Sequence, residues 1–350
     1  MNRCILISAS VVAVFCTGIQ FSSAQNINIT PFDAAPQLLN PSFTGMFDGT
    51  LRATVIYRNQ WADAMVPFAT YGVSADKPIT LSKRSDYIGI GLQVFRDQAG
   101  DGNLINFTGS ISTAYHRPFG KSKKPFSSKE FSIGIQGGYF QRSTNLSDIY
   151  FNTALPPMYS SYNPFYTLGI GNNISDYTFN AGASYSQSVN SCFNFTIGLS
   201  ANNINQPVDA IEKIQQKHLG IDRNYTAVLG ANWTISKRLT LRPAMLYVAR
   251  GDGNDIIFGN EFCYAVTTRD LHHYPPTSVF IAVWYRSADI MTIAAGLKYK
   301  RLNIGFGFDQ PVSSPSYSGS GGRGIELSLK YITPKLRPIG IRRPVPCNRF

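Results

Sequence analysis

The sequence predicts an all-β fold, a 14-stranded antiparallel transmembrane β-barrel of the outer-membrane type, and three observations support this. Only 15% of the 350 residues are Asp, Glu, Lys or Arg, against about 25% in a typical soluble domain. Aromatic residues reach 13%, with Tyr and Phe far more frequent than Trp. Apolar and polar residues alternate with period two in many short segments, as they do in strands with one face in lipid and one in a polar lumen.

The N-terminus predicts export from the cytoplasm. Arg3 precedes an apolar run from Cys4 to Phe15, and Ser22-Ser23-Ala24 follows, which is typical of a secretory signal peptide cut after Ala24. A membrane anchor is the weaker alternative, because the run is short and contains serines. The cysteines that remain, Cys192, Cys263 and Cys347, are odd in number and widely spaced, so no disulfide framework is expected.

The alternating segments number fourteen, and each is a candidate strand. In one of them, Phe193, Ile197 and Leu199 alternate with small or polar residues. Most segments reach the 9–11 residues that a tilted strand needs to cross a bilayer, and tyrosines and tryptophans cluster near their ends, where interfacial girdles lie. The predicted strands lie near 50–58, 69–77, 87–96, 104–116, 130–142, 177–188, 193–203, 224–235, 239–249, 255–265, 278–286, 290–299, 302–309 and 323–332.

An even number of strands places both chain ends on one side of the membrane, which we expect to be the periplasm. The long connections 143–176, 204–223 and 310–322 are then extracellular. The expected organisation is a signal peptide (1–24), an extended N-terminal segment (25–49), the barrel (50–332) and a basic, proline-rich periplasmic tail (333–350).

The chain has a net charge of +12, and on this topology its basic residues are unevenly distributed between the two ends of the barrel. Most Lys and Arg residues, with Lys298 counted among them, fall at the periplasmic end, and the polar strand faces are mainly Gly, Ser, Thr and Asn. One interpretation is a basic surface that docks an acidic periplasmic partner, since clustered charge of one sign steers association; the other is simple solvation of the turns. The candidate docking residues are Lys121, Lys123, Lys124, Arg337, Arg342 and Arg343.

Short motifs occur in a defined order along the chain. They are Asn40-Pro41 through Gly45, Tyr57-Arg58 with Gln60-Trp61, Asp76 with Pro78, Asp97 through Gly100, Asn203 through Pro207, and the strand around Pro243. Together they resemble the PorP/SprF family of the Bacteroidetes type IX secretion and gliding system, over about residues 31–332. The resemblance implies a barrel that supports export or surface anchoring of a cargo adhesin with a C-terminal targeting domain, in contact with periplasmic machinery.

The same residues have physical interpretations. Pro36 and Pro41 are expected to keep 31–45 extended, either inside the barrel or along its periplasmic mouth. Arg58 is expected to pair with Asp63 or Asp76, and Tyr57–Trp61 is interpreted as a structural corner rather than a ligand site. Pro243 predicts a bulge or irregularity, because proline cannot donate to a strand ladder.

Catalytic, cofactor and metal sites are not expected. His116, His218, His272 and His273 have no recognisable spacing from a nucleophile or carboxylate, and His116 is the only one in a predicted strand. An enzyme would need such a constellation at the barrel rim. The alternative function is an outer-membrane porin or small-solute transporter, which a ladder of lumenal charges would favour. Nucleic acid is not an expected partner, because the signal peptide sends the chain out of the cytoplasm.

Overall fold

A computed structural model of the chain describes residues 34–60, 68–81, 86–99, 104–119, 128–143, 173–207, 221–251, 253–267, 276–287, 290–312 and 323–334. Within these ranges the fourteen predicted strands are all present. Their bounds are β1 Leu51–Gln60, β2 Phe68–Thr80, β3 Tyr87–Ala99, β4 Leu104–Phe119, β5 Lys129–Ser143, β6 Asn173–Ser188, β7 Phe193–Asn202, β8 Asn224–Thr234, β9 Leu239–Arg250, β10 Gly253–Ala265, β11 Ser278–Arg286, β12 Ile290–Tyr299, β13 Leu302–Pro311 and β14 Gly324–Thr333.

The strands form a closed barrel in which each pairs with its neighbours in sequence and β1 pairs with β14. Every pairing is antiparallel, and the closing seam runs in register from Leu51 opposite Thr333 to Gln60 opposite Gly324. The start of β1 and the end of β14 therefore lie at the same end of the barrel, called here the terminal end; the opposite end is the far end. This confirms the predicted strand number and closure.

The alternation in sequence becomes an alternation between two environments. Along β1, Val55 is half exposed on the outer surface while Thr54 and Ile56 are buried in the lumen. Outward tyrosines pair at the far end, with the Tyr57 and Tyr71 ring centroids 5.2 Å apart. Within the described ranges, no helix is both long and apolar enough to span a bilayer.

The segment before β1 is helical where an extended chain was expected. Helix α1 spans Pro36–Leu39, and a 3₁₀ helix spans Pro41–Phe43. The expectation of a fully extended segment is wrong for these residues, because each proline stands at the first turn of its helix, where its fixed φ is favourable and its missing N–H is not needed. The residues between them and β1 return the chain to the barrel wall.

Pro243 interrupts the sheet without adding a residue. It points outward in β9, and its ladder with β10 continues through Asn260. Toward β8, pairing stops after Gly230–Ala244 and resumes at Trp233–Leu241 in the same register. The predicted irregularity is thus a local gap in one ladder rather than a bulge.

Candidate functional site

Residues 34–47 lie inside the barrel, and we call this segment the plug. All of them except Leu38 and Leu39 are buried, and Asn40, Ser42, Phe43, Thr44 and Met46 have no exposed surface. Of the two positions the sequence left open, the structure places the segment in the lumen rather than along the mouth.

Asn40 joins the plug to two strands of the wall. Its side-chain oxygen accepts a hydrogen bond from the backbone N–H of Ser42 at 2.9 Å and so caps the 3₁₀ helix. Its side-chain nitrogen donates to the carbonyls of Ala183 in β6 and Leu199 in β7, at 3.2 and 3.0 Å. A single buried amide therefore satisfies the helix start and fixes its position against the wall.

Asp76 holds the plug where it turns toward β1. Its two carboxylate oxygens accept hydrogen bonds of 2.8 and 2.7 Å from Arg52. The same carboxylate accepts the backbone N–H of Gly45 at 2.7 Å, and Arg52 also donates to the carbonyl of Phe43 at 3.2 Å. Both charged side chains are at most 3% exposed, so the pair is buried and its strength depends on full satisfaction of both partners.

His116 in β4 forms a third contact with the plug. Its Nε2 lies 2.7 Å from the carbonyl oxygen of Thr44, which can only accept, so this nitrogen is the donor. Its Nδ1 lies 2.7 Å from Ser132 Oγ and 3.5 Å from Glu130, and the ring stacks on Tyr87 at 4.3 Å. Both ring nitrogens are occupied, and the serine and carboxylate face the same nitrogen, unlike the serine–histidine–acid relay of a hydrolase.

The polar wall carries glycines where the plug backbone passes. A Cβ at Gly89 would lie 1.9 Å from the carbonyl oxygen of Thr44, and one at Gly182 would lie 2.0 Å from the Asn40 side chain. One at Gly134 would lie 2.5 Å from the Pro41 carbonyl carbon. These lumen-facing glycines give the plug the space that a side chain would fill, which explains part of the glycine content of the polar faces.

On the other side of the lumen the plug meets an apolar wall. Phe43 and Met46 belong to one buried cluster with residues of β8 to β12, which are Val228, Ala244, Leu246, Val248, Ile257, Ala282, Trp284 and Ala294. A second small cluster joins Ala34 and Ala35 to Ile56 and Phe95. The plug thus bridges the lumen, with hydrogen bonds on one side and apolar packing on the other.

A second buried charge cluster lies toward the far end. Arg58 Nη2 is 2.5 Å from Asp309 Oδ2, and its Nη1 is 3.9 Å from Glu326. Thr292 donates to the other oxygen of Asp309 at 2.5 Å. The expected pairing of Arg58 with Asp76 is wrong, because Asp76 is held by Arg52; Asp63 lies outside the described residues. Asp309 and Glu326 are the partners that sequence reasoning missed.

The model of the family described as type IX secretion system membrane protein PorP/SprF matches residues 21–331 of the chain. The chain belongs to this family. A search of curated proteins found no significant sequence match. Solved structures with a similar fold include the TodX monoaromatic hydrocarbon channel as a ΔS2 mutant (10% identity, 85% of this chain and 92% of that chain, TM-score 0.44). The Ralstonia pickettii toluene transporter TbuX is another (8% identity, 86% and 94%, TM-score 0.46).

The remaining described residues of the PorP/SprF motifs lie in the barrel wall or at its strand ends. Tyr57 faces outward in the far-end aromatic girdle, and Gln60 lies at the end of β1 beside Gly324. Pro78 pairs with Gly89 in the wall beside Gly45. Trp61 and the six candidate docking residues, Lys121, Lys123, Lys124, Arg337, Arg342 and Arg343, lie outside the described residues.

The Asn203–Pro207 motif closes the far end of β7. Asn203 and Gln206 both have positive φ, 54° and 48°. The N–H of Asn203 donates to the Asn180 side chain at 2.8 Å, and the side chain of Asn205 donates to the carbonyl of Tyr177 at 2.7 Å. The motif is therefore hydrogen-bonded to the part of β6 that extends past β7. At its end, the Pro207 carbonyl accepts a hydrogen bond from the backbone N–H of Ile221, where the chain returns to β8.

The lumen of this PorP/SprF protein carries more charge than its strand faces predicted. Glu261 Oε1 accepts from Arg242 at 3.0 Å and from Lys298 at 2.5 Å. Lys298, which the sequence counts among the basic residues of the periplasmic end, lies near the terminal end of β12, but its side chain points into the lumen. Across the described ranges, no group of three or more His, Cys, Asp or Glu residues could hold a metal ion.

Proposed function

We propose that this protein is a closed, non-enzymatic outer-membrane component of the type IX secretion machinery that supports export or surface anchoring of a cargo adhesin with a C-terminal targeting domain. The match to the PorP/SprF family model supports a place in the type IX secretion machinery. The observation that carries the closed, binding role is the plug, which is held from Asn40 to Gly45 by hydrogen bonds to β2, β4, β6 and β7. A lumen filled in this way leaves the two ends as the surfaces for partners.

The charge distribution supports an assignment of roles to the ends. The terminal end faces the periplasm in this proposal, after the signal peptide is removed. Its described turns carry basic pairs at Lys237-Arg238 and Lys300-Arg301. The sequence adds Lys121, Lys123, Lys124 and the basic tail. Within this basic end, an acidic periplasmic component of the machinery docks on Lys121, Lys123, Lys124, Arg337, Arg342 and Arg343. The far-end loops hold the cargo.

The proposal is tested by purification from native outer membrane, followed by identification of associated proteins and by conductance measurements in a planar bilayer. Recovery of a large adhesin or of type IX components with a non-conducting barrel is the expected result. A barrel that is recovered without partners and conducts ions steadily would overturn it.

The docking surface has its own test. Reversal of Lys121, Lys123 and Lys124 to Glu is expected to remove the periplasmic partners while cargo association persists. Reversal of Lys237 and Arg238 to Glu, in another turn of the same end, changes the net charge by four units against six in the triple reversal and measures the part of the loss that is due to net charge. Unchanged recovery of the periplasmic partners with the triple reversal would refute the docking role.

The alternative function is an outer-membrane porin or small-solute transporter, and the lumenal charges are the observation that favours it. Four of the described basic residues in the lumen are neutralised by partners, however. Arg52, Arg58, Arg242 and Lys298 each form an ion pair with a lumenal carboxylate. Steady conductance of the native barrel that stays the same when the plug is removed would favour the porin.

A further inference from the structure

A groove lies on the outer surface at the terminal end of the barrel. Tyr299 of β12 is registered opposite Leu302 of β13, and Leu302 is registered opposite Tyr331 of β14. All three point outward, and the two tyrosines are about half exposed. Together with Lys300 and Arg301 they line a cavity of about 280 Å³. Its floor is apolar, its two walls are aromatic, and its rim toward the aqueous side is basic.

The basic rim is built into a two-residue turn. Lys300 and Arg301 alone connect β12 to β13, and Lys300 has a φ of +52°. Glycine or asparagine normally takes this left-handed position in two-residue hairpins, because a side chain there costs energy. The ammonium of Lys300 lies 5.1 Å from the centroid of the Tyr299 ring. The turn therefore carries a charged side chain at a position where a side chain is disfavoured.

The position of the groove identifies the chemistry of its occupant. Outward tyrosines at a strand end mark the depth of the membrane interface, so Lys300 and Arg301 lie at the level of lipid phosphates. Basic residues at this depth attract anionic headgroups. Leu302 and the tyrosine rings give a floor continuous with the lipid-facing surface, which a free phosphate ion would not use but a phospholipid would.

We propose that this groove binds the phosphodiester headgroup of an anionic phospholipid in the leaflet at the terminal end. Lys300 and Arg301 hold the phosphate, and the glycerol and upper acyl chains lie over Leu302 between Tyr299 and Tyr331. The residues of this site belong neither to the plug nor to the six candidate docking residues named above.

The test is native mass spectrometry of the delipidated, full-length folded protein with added phosphatidylglycerol, and with phosphatidylcholine as the neutral reference. The double variant Lys300→Gln/Arg301→Gln is expected to bind phosphatidylglycerol about 30-fold more weakly, since each basic residue near the surface strengthens binding of anionic lipid about five-fold. The matched control is Lys237→Gln/Arg238→Gln. It removes the same charge from the β8–β9 turn at the same end and should leave binding unchanged.

Two further measurements separate binding from folding and lipid from phosphate. Lys300→Asn places a turn-favouring residue at the positive φ, so the hairpin should be at least as stable while affinity falls about five-fold. Inorganic phosphate at millimolar concentration should not displace the lipid. Equal losses in the two double variants, unchanged binding in Lys300→Gln/Arg301→Gln, or full displacement by phosphate would each overturn the proposal.

Discussion

Replacement of Asp76 by Asn should release the plug while the barrel wall stays folded. The substitution keeps the shape of the side chain but leaves the Arg52 guanidinium, which is 3% exposed, without its counter-charge. Removing one partner of a buried pair costs about 3–5 kcal/mol. Departure of the plug admits water to Arg52 and relieves this penalty, so the cost falls on the plugged state rather than on the strand ladders of β1 and β2.

The lower limit, about 3 kcal/mol, corresponds to an increase of roughly 150-fold in the population of the open plug. A cysteine at position 42 reports this opening, because Ser42 has no exposed surface and its hydroxyl forms no hydrogen bond. The assay is the rate of maleimide labelling of Ser42→Cys, in a background without the native cysteines, with and without Asp76→Asn.

Asp97→Asn is the matched control for this experiment. Asp97 also points into the lumen and accepts a hydrogen bond, from Thr70 at 2.6 Å. It lies toward the far end of β3, and its partner Thr70 is part of the wall. Labelling should be unchanged in this control. If Asp76→Asn labels no faster than Asp97→Asn, the buried pair does not hold the plug and the reasoning fails.

Three more outcomes are expected. Asn40→Ala removes three hydrogen bonds and should weaken plug closure by about 1–3 kcal/mol, which the same labelling assay measures as at least a five-fold faster rate. Gly182→Ala should also open the plug, because its Cβ would lie 2.0 Å from the Asn40 side chain. The control is Gly137→Ala. Position 137 faces outward, where a Cβ would meet only Phe179 at 4.0 Å, so Ser42→Cys should be labelled slowly in this variant. Arg58→Gln should lower the free energy of unfolding by about 3 kcal/mol, read as a lower temperature for the heat-induced shift in gel mobility. The exposed Arg96→Gln should change that temperature little, and equal shifts in the two would contradict a buried ion cluster.

The wall of the barrel was predictable because it depends on local alternation. Val55 and Thr54 face opposite environments simply because successive side chains of a strand point to opposite faces. The strand positions, their number and the closure followed from this rule. The same rule places Arg58, Asp309 and Glu326 on the inward face, and that parity was the signal available for finding their cluster.

The contacts across the lumen were not predictable in this way. Arg58 and Asp309 are 251 residues apart, and nothing local to either indicates the other. Asp76 was singled out by its motif, but its role depends on Gly45, which reaches it only when the preceding segment folds back into the barrel. The helical turns of that segment are too short to show a period of 3.6 residues.

The plug is connected to β1 by only a few residues, from Asp48 to Thr50. It is therefore a ligand of the lumen that is covalently attached to its own receptor. A short tether keeps the effective concentration of such a ligand in the millimolar range, so a released plug returns to its site without a diffusional search. A soluble peptide competing for the same lumenal contacts would need a comparable concentration to exclude it, and opening is correspondingly brief and reversible.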